Sequence, residues 1–383
     1  MAIVAMAFPR RHAHASPSSF ANHSPASHHH PPPASFYPRA LPLAISMVLL
    51  VCLLLPLQNR IVSVETLVAA NAKDHGQALK FVAQNWELYT LEEAVTAVAK
   101  NGTVIVCVVT YPYLAFLVNW LVSVARQGRQ DSVLVIAEDY KLLRHVNKHW
   151  PGHAVLVPPV LPASEAQRFG SEGFFNFTSR RPHHLLRILE LGYSVLYNDV
   201  DMVWLADPFP YFQGEHEVYF MDDMTAIKPS NHSHALPAPG RKGRTYICSC
   251  LLFMRSSPGA KLLLRKWIEE LHNQSWTPRV KPNDQPAFNW ALNKTFGEVK
   301  LFLLPQESFP SGGLYFKNKT WQHQTSHKHV LIHNNYITGF DKKIKRFTDS
   351  GLWLLNNDTS KESFSNLQLV ANFLKMQASE SAG

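Results

Sequence analysis

Acidic residues are missing from the first 57 positions of this chain, although 28 occur among its 383 residues. The only charges in that stretch are Arg10, Arg11 and Arg39. Cysteine is scarce as well. Four residues, Cys52, Cys107, Cys248 and Cys250, are too few for a disulfide scaffold. The lack of a second Cys or His pair at ligand spacing argues against structural zinc. Cys248 and Cys250 share one face of an apolar strand, and Cys107 could pair with either in an oxidising compartment. No Lys/Arg block of the nucleic-acid-binding type is present. No internal repeat is present either, which excludes a solenoid.

The acid-free stretch contains a run without any charge, Leu41 to Leu57, dominated by Leu, Val, Ile and Met. At 17 residues it reaches the lower limit for a membrane-spanning helix. Roughly forty residues precede it, too many for a cleavable signal peptide, so it reads as a signal anchor over 39–58. Positive charges before the run and no acids place the N-terminus in the cytosol and the bulk of the chain in the lumen. A short span suits the thinner membranes of the early secretory pathway. Residues 1–38, with His28-His29-His30-Pro31-Pro32-Pro33, read as a disordered cytosolic tail. Residues 59–100 read as a helical stem, with Thr90-Leu91-Glu92-Glu93 as a capping box. Residues 101–357 form the lumenal domain and 358–383 a C-terminal tail. Seven glycosylation sequons follow the anchor, at Asn101, Asn176, Asn231, Asn273, Asn293, Asn318 and Asn357. Asn22, in an eighth, lies on the cytosolic side. The full chain has a net charge of +9. Removing the three N-terminal arginines from the 37 basic residues leaves 34 against 28 acids, or +6, a modest attraction for an anionic polysaccharide or nucleotide.

From Thr103 the hydrophobic period changes. Apolar β-branched runs at Thr103–Val109, Ser132–Ala137, Ala154–Val157 and Ser194–Asn198 alternate with amphipathic helices, the last over Ser179 to Leu191. This pattern predicts an α/β fold with a parallel sheet covered on both faces. Ligands of such sheets bind beyond the carboxyl ends of the strands. Glu138-Asp139 and Asp199-Val200-Asp201 both occupy such ends. The second half is less regular, with strands near Val218–Met221, Ile247–Met254 and His329–His333 and a helix over Ala260–Asn273.

Asp199 and Asp201, two positions apart on extended backbone, face the same way. Two carboxylates so placed repel each other unless a cation lies between them, and a hard divalent ion such as Mg²⁺ or Mn²⁺ also leaves positions for a diphosphate. The bland alternative is a solvated strand-end turn. His333, at the end of a late strand, could add a third ligand or simply be a solvated side chain. Arg180-Arg181-Pro182 opens a helix, as either a phosphate clamp or two surface arginines. Asp284-Gln285 stands at another helix start, where a capping Asp is ordinary and a group beneath a sugar's reacting carbon is the functional alternative. Gly312-Gly313 permits close backbone approach. Trp204, Trp290, Trp321 and Trp353 either stack on sugars or pack the core.

At these motifs the chain resembles the plant nucleotide-diphospho-sugar transferases of glycosyltransferase family 77, in the group that adds α-1,3-xylose to fucose of the pectin rhamnogalacturonan II. The matching stretches include VLVIAEDY, GFFNFTSRRPHHLL, LELGYSVLYNDVDMVWLADPF, NDQPAFN, GGLYFKN and HVLIHNNYITG. The resemblance implies a GT-A fold, UDP-xylose as donor, dependence on Mn²⁺ or Mg²⁺, retention of anomeric configuration and a Golgi location. Carried over by position, Asp199, Asp201 and His333 bind the metal, Arg180 or Arg181 the donor, and Asp284 and Gln285 lie near the reacting sugar. Galactose or arabinose donors occur in relatives with the same metal motif. Two other classes fit parts of the pattern. A haloacid-dehalogenase-type phosphatase uses a similar Asp-x-Asp, but on the strand that opens its domain, and a non-catalytic sugar-binding relative has no need of the two aspartates.

Overall fold

The computed structural model describes residues 89–161 and 165–355. The tail, the anchor over 39–58, most of the stem, Asn22, Asn357 and the C-terminal tail lie outside these residues. No helix among the described residues is long and apolar enough to cross a membrane.

Helix α1 (Leu91–Val98) begins at the expected capping box. Thr90 Oγ1 accepts from Glu93 N at 3.2 Å, and Glu93 Oε2 accepts from Thr90 N at 2.8 Å. Its buried stripe, Leu91, Ala94, Val95 and Val98, joins the core beneath the sheet. The helix assigned above to the stem therefore belongs to the folded domain, whose packed body starts at Leu91 rather than Asn101. The reason is the stripe itself, which needs an apolar partner.

The central sheet runs in the order β3-β2-β1-β4-β7-β6-β8. Its strands are β1 (Thr103–Val109), β2 (Val133–Ala137), β3 (Ala154–Leu156), β4 (Ser194–Asn198), β6 (Val218–Asp222), β7 (Ile247–Met254) and β8 (Leu301–Leu303). The first four are parallel to one another, β7 runs antiparallel to β4 and β6, and β6 and β8 are parallel. Strand β1 shows why its sequence is apolar throughout. Ile105, Cys107 and Val109 face one core, packed by α2 (Leu114–Ala125) and α3 (Tyr140–His149). Val104, Val106 and Val108 face the other, packed by α1, α5 (Arg181–Glu190), α6 (Pro258–His272) and α7 (Asp284–Lys294). The helix expected over Ser179 to Leu191 is α5, and a short helix that the sequence did not single out, α4 (Glu172–Thr178), precedes it. Pro182 has no N–H to give the Thr178 carbonyl, so one helix cannot run through, and Pro182 instead sits in the first turn of the second.

A two-stranded ribbon pairs β5 (Met202–Trp204) antiparallel with β9 (Leu331–His333), Met202 opposite His333. This pairing brings a residue more than a hundred positions downstream beside the Asp-x-Asp. The four tryptophans weighed as sugar platforms pack instead. Trp204 is buried and donates to Asn198 Oδ1 at 2.5 Å, Trp321 is buried, Trp353 lies edge-on to Phe116, and Trp290 sits against Lys294. Cys248 is disulfide-bonded to Cys250, and Cys107 is a buried free thiol.

His153 gives the domain an acid-labile point. It stacks on Trp150 at 3.7 Å, and its Nδ1 is 2.8 Å from the Val133 carbonyl. Burial lowers its pKa to about 4, partly offset by that carbonyl. The unfolded chain takes up a proton near pH 6.5 and the folded one only near 4, so stability is lost as pH falls through that window. Between pH 7 and pH 5, wild type should lose about 2 kcal/mol more unfolding free energy than His153→Asn. Equal losses in urea titrations at the two pH values would contradict this assignment.

Candidate active site

The site lies where several strand ends meet. Asp199 follows the carboxyl end of β4, Asp222 and Asp223 close β6, and β7, running the opposite way, starts there with Cys248 and Ser249. The Asp199 N–H donates to the Cys250 carbonyl at 2.9 Å, fixing the Asp-x-Asp turn to the sheet.

One carboxylate oxygen of Asp199, one of Asp201 and one ring nitrogen of His333 all lie within 4.8 Å of each other. His333 Nε2 is 3.4 Å from Asp201 Oδ1. Its Nδ1 faces Cys248 Sγ at 3.7 Å. Lys343, from α8 (Phe340–Asp349), forms an ion pair with Asp201 Oδ2. Burial alone would raise the Asp201 pKa, but Lys343 and then His333 outweigh it and hold the carboxyl well below the usual range. Asp199 is shifted the opposite way. Burial raises its pKa, the charge of Asp201 adds to the rise, and Arg181 opposes it. Two hard carboxylate oxygens and an imidazole, on a partly open face, form a donor set that suits Mn²⁺ or Mg²⁺.

Arg181 links the two predicted halves of the site. Its guanidinium reaches Asp199 Oδ1 at 3.2 Å, Asp284 Oδ2 at 3.0 Å and the Ser249 carbonyl at 3.1 Å, and lies 4.5 Å from the centre of the Tyr197 ring. Burial alone would lower its pKa, but Asp199, Tyr197 and Asp284 overcome this and fix the positive charge. Tyr197 in turn donates to Asp199 Oδ1 at 2.5 Å. Arg180 points elsewhere. It pairs with Glu138 at 2.9 Å and donates to the Val157 and Pro159 carbonyls. Glu138 is buried and also meets His184 at 2.9 Å. Asp139 caps α3 through the Leu142 N–H at 2.8 Å and accepts from Tyr111 N at 2.7 Å. Arg180, Glu138 and Asp139, read from the sequence as donor-site residues, here pair within the loops after β2 and β3, as buried charges need partners.

Asp284 is buried, and its Oδ2 accepts from Ser249 Oγ at 3.0 Å as well as from Arg181. The capping residue of α7 is its neighbour Asn283, which frees Asp284 for these contacts. Gln285 donates to Asp223 Oδ2 at 2.8 Å, and its Oε1 accepts from Ser249 N at 3.3 Å. Asp223, which the sequence did not single out, also accepts from Asn335 Nδ2 at 2.8 Å. Lys343, Asn335 and Arg346 were missed too. Arg346 donates to the Asn334 side chain at 2.7 Å and to the Asn335 carbonyl at 2.6 Å, holding the segment after His333. A possible signal was the dense charge of Asp341 to Arg346 directly after the His-Asn-Asn turn.

Gly312 is needed for close approach. A Cβ there would lie 2.4 Å from the His333 carbonyl oxygen and 2.7 Å from that of Asn335. Gly312→Ala should therefore displace the His333 turn, cutting turnover by about tenfold or more while costing only about 1–3 kcal/mol of stability. Unchanged kcat/KM in that variant would show that the turn accommodates the added methyl group.

The mixed sheet, the helices on both faces and the Asp-x-Asp beyond a central strand define a GT-A-like sugar-nucleotide transferase. Residues 128–347 match the family described as nucleotide-diphospho-sugar transferase, and the chain belongs to it. It is 65% identical over 283 residues to the UDP-D-xylose:L-fucose alpha-1,3-D-xylosyltransferase MGP4 of Arabidopsis thaliana, covering 74% of this chain and 79% of that one. Identity to the UDP-galactose:fucoside alpha-3-galactosyltransferase of Dictyostelium discoideum is 25% over 240 residues, 56% of this chain and 35% of that one. Among solved structures, the galactosyltransferase LgtC with donor and acceptor sugar analogues aligns at a TM-score of 0.40 and 14% identity, covering 67% of this chain and 98% of that one.

Proposed function

We infer that this protein transfers xylose from UDP-xylose to L-fucose in α-1,3 linkage. The observation that carries the reading is the identity of 60–65% over about three quarters of the chain to four proteins named for that activity. The phosphatase and non-catalytic alternatives lose their support, the first because the Asp-x-Asp strand is the fourth in the chain rather than the first.

Asp199, Asp201 and His333 would hold Mn²⁺ or Mg²⁺. When bound, the ion supplies Lewis-acid charge against the donor diphosphate. This chain's own groups do the rest. Lys343 and Arg346 place further positive charge beside Asp201, where a departing UDP needs it. Arg181 keeps Asp199 and Asp284 in register, so the ion site and the floor beneath the sugar move as one unit. Gln285 and Asp223, joined by a hydrogen bond, offer an amide and a carboxylate to sugar hydroxyls. We further propose retention of configuration, a pectic acceptor such as rhamnogalacturonan II, and a lumenal domain on a Golgi signal anchor. The anchor reading rests on the charge-free run, and the lumenal one also on the sequons. Asn101, Asn176, Asn231, Asn273 and Asn293 are all exposed, as glycan carriers must be.

The test is a donor panel. The domain from Arg60 onward is incubated with Mn²⁺, methyl α-L-fucoside and UDP-xylose, UDP-galactose or UDP-arabinose, with products read by mass and linkage by NMR. Only UDP-xylose should give product, in α-1,3 linkage. Faster transfer of another sugar would overturn the donor assignment.

A further inference from the structure

The tripeptide Cys248-Ser249-Cys250, near the start of β7, meets both halves of the site, yet the transferase reading gives its two bonded sulfurs no role. Ser249 is the hub. Its carbonyl accepts from Arg181 at 3.1 Å, its Oγ donates to Asp284 Oδ2 at 3.0 Å, and its N–H donates to Gln285 Oε1 at 3.3 Å. The Cys250 carbonyl accepts from Asp199 N at 2.9 Å. All three residues are buried. The sheet alone holds this tripeptide loosely. Strand β7 pairs with β6 at Leu252 opposite Phe220 and again at Ile247 opposite Asp222. Only Met221 lies between those pairs on β6, whereas Cys248 to Leu251 lie between them on β7, so β7 bulges out of register there. On its other side β7 pairs with β4 only from Leu251 onward.

We propose that Cys248 and Cys250 are positioning residues for the transfer step: their disulfide closes a small ring around Ser249 and fixes the three bonds by which Ser249 holds Arg181, Asp284 and Gln285. The proposal rests on the transferase reading. Extended backbone puts side chains 248 and 250 on one face and 249 on the other. The bond therefore locks the backbone from one side while the Ser249 hydroxyl stays aimed at Asp284 on the other. A cross-link between residues two positions apart gains little from chain entropy, because that gain grows with the loop enclosed. Its effect falls on local geometry instead.

Breaking the ring loosens the sugar side of the site and spares the diphosphate side. Asp284 and Gln285 have Ser249 as a shared partner, and a shift of about 1 Å in such groups costs up to about a hundredfold in rate. The ion ligands are held by other means. Asp199 follows β4 and accepts from Tyr197, while Asp201 and His333 are joined through the pairing of β5 with β9. The sulfur contact with them, Cys248 Sγ to His333 Nδ1 at 3.7 Å, is a weak one.

The experiment compares wild type with Cys248→Ala, Cys250→Ala and the double variant. A disulfide needs both sulfurs, so each single change breaks the same bond as the double one. All three should show kcat for xylose transfer about tenfold below wild type and within about twofold of each other. Calorimetric UDP affinity with Mn²⁺ should stay within about threefold of wild type, a split that general damage to the fold does not give. Cys107→Ala removes a buried thiol from the same core without touching the ring, and should keep the wild-type kcat. Hydrogen exchange of the Ser249 amide, followed by NMR, should be at least about tenfold faster in the three ring variants. That reading needs no turnover. Faster exchange in variants of a domain that transfers no xylose would support the ring and count against the transferase reading. Unchanged exchange, losses in kcat that add between the two single variants, wild-type kcat in any ring variant, or an equal loss in Cys107→Ala would overturn the proposal.

Discussion

Asp201→Asn transfers xylose at least about a thousandfold more slowly than wild type, because it removes a charged ligand from a site whose role is to stabilise a departing diphosphate. The substitution keeps the shape of the side chain, and the backbone carbonyl of Asp201 still accepts from Asn334 N. The domain therefore remains folded, with its circular dichroism unchanged. What the variant loses is the carboxylate that Lys343 and His333 both address. A purely structural role for Asp201 makes a different prediction. In that case the buried cation is the problem, and adding Lys343→Met restores activity by removing the unpaired charge. If Asp201 is instead a metal ligand, the double variant stays inactive and fails to bind Mn²⁺.

Arg181→Met is expected to be the most damaging change to stability. The guanidinium is 7% exposed and touches two carboxylates, of which Asp284 is almost fully buried. Removing it leaves both anions without their main partner in a poorly solvated place, and breaking buried pairs of this kind costs about 3–5 kcal/mol. Without Arg181 to oppose burial, the Asp199 pKa rises further, so the loss should shrink as pH falls and Asp199 takes up a proton. Chemical unfolding at pH 7 and pH 5 reads both effects. A loss below about 1 kcal/mol at pH 7 would show that solvent reaches Asp284, as a surface pair would allow. Arg181→Lys tests geometry apart from charge. One ammonium cannot reach Asp199, Asp284 and the Ser249 carbonyl together, so activity falls even where stability is partly kept.

The Asp-x-Asp pair was legible because its signal is local. A wholly apolar strand that ends in two same-facing carboxylates is a short pattern, and the sheet places it where that pattern implies. His333 was legible only through resemblance, since it meets Asp201 through the pairing of β5 with β9, a contact between distant segments that no spacing records. Asp223 and Asn335 were missed for the same reason. Each looks like an ordinary polar residue in a turn, and only the fold shows that they bond to each other. Glu138 and Asp139 show the converse case. A strand-end acid can serve a ligand or the loop beneath it, and Asp139 caps a helix while Glu138 answers Arg180 and His184. The helix over Ser179 to Leu191 was legible from its amphipathic period and is α5, whereas the short α4 before it was not singled out.

Every role proposed for this site depends on Asp199, Asp201 and His333 holding a divalent ion for a sugar nucleotide. Calorimetric titration of UDP into the folded domain, with Mn²⁺ and again with EDTA, reads that dependence without requiring turnover. Expected are binding with Mn²⁺, at least about a hundredfold weaker binding with EDTA, and no effect of Mn²⁺ in Asp201→Asn. Equal UDP affinity with and without the ion in the wild-type domain would contradict the metal site.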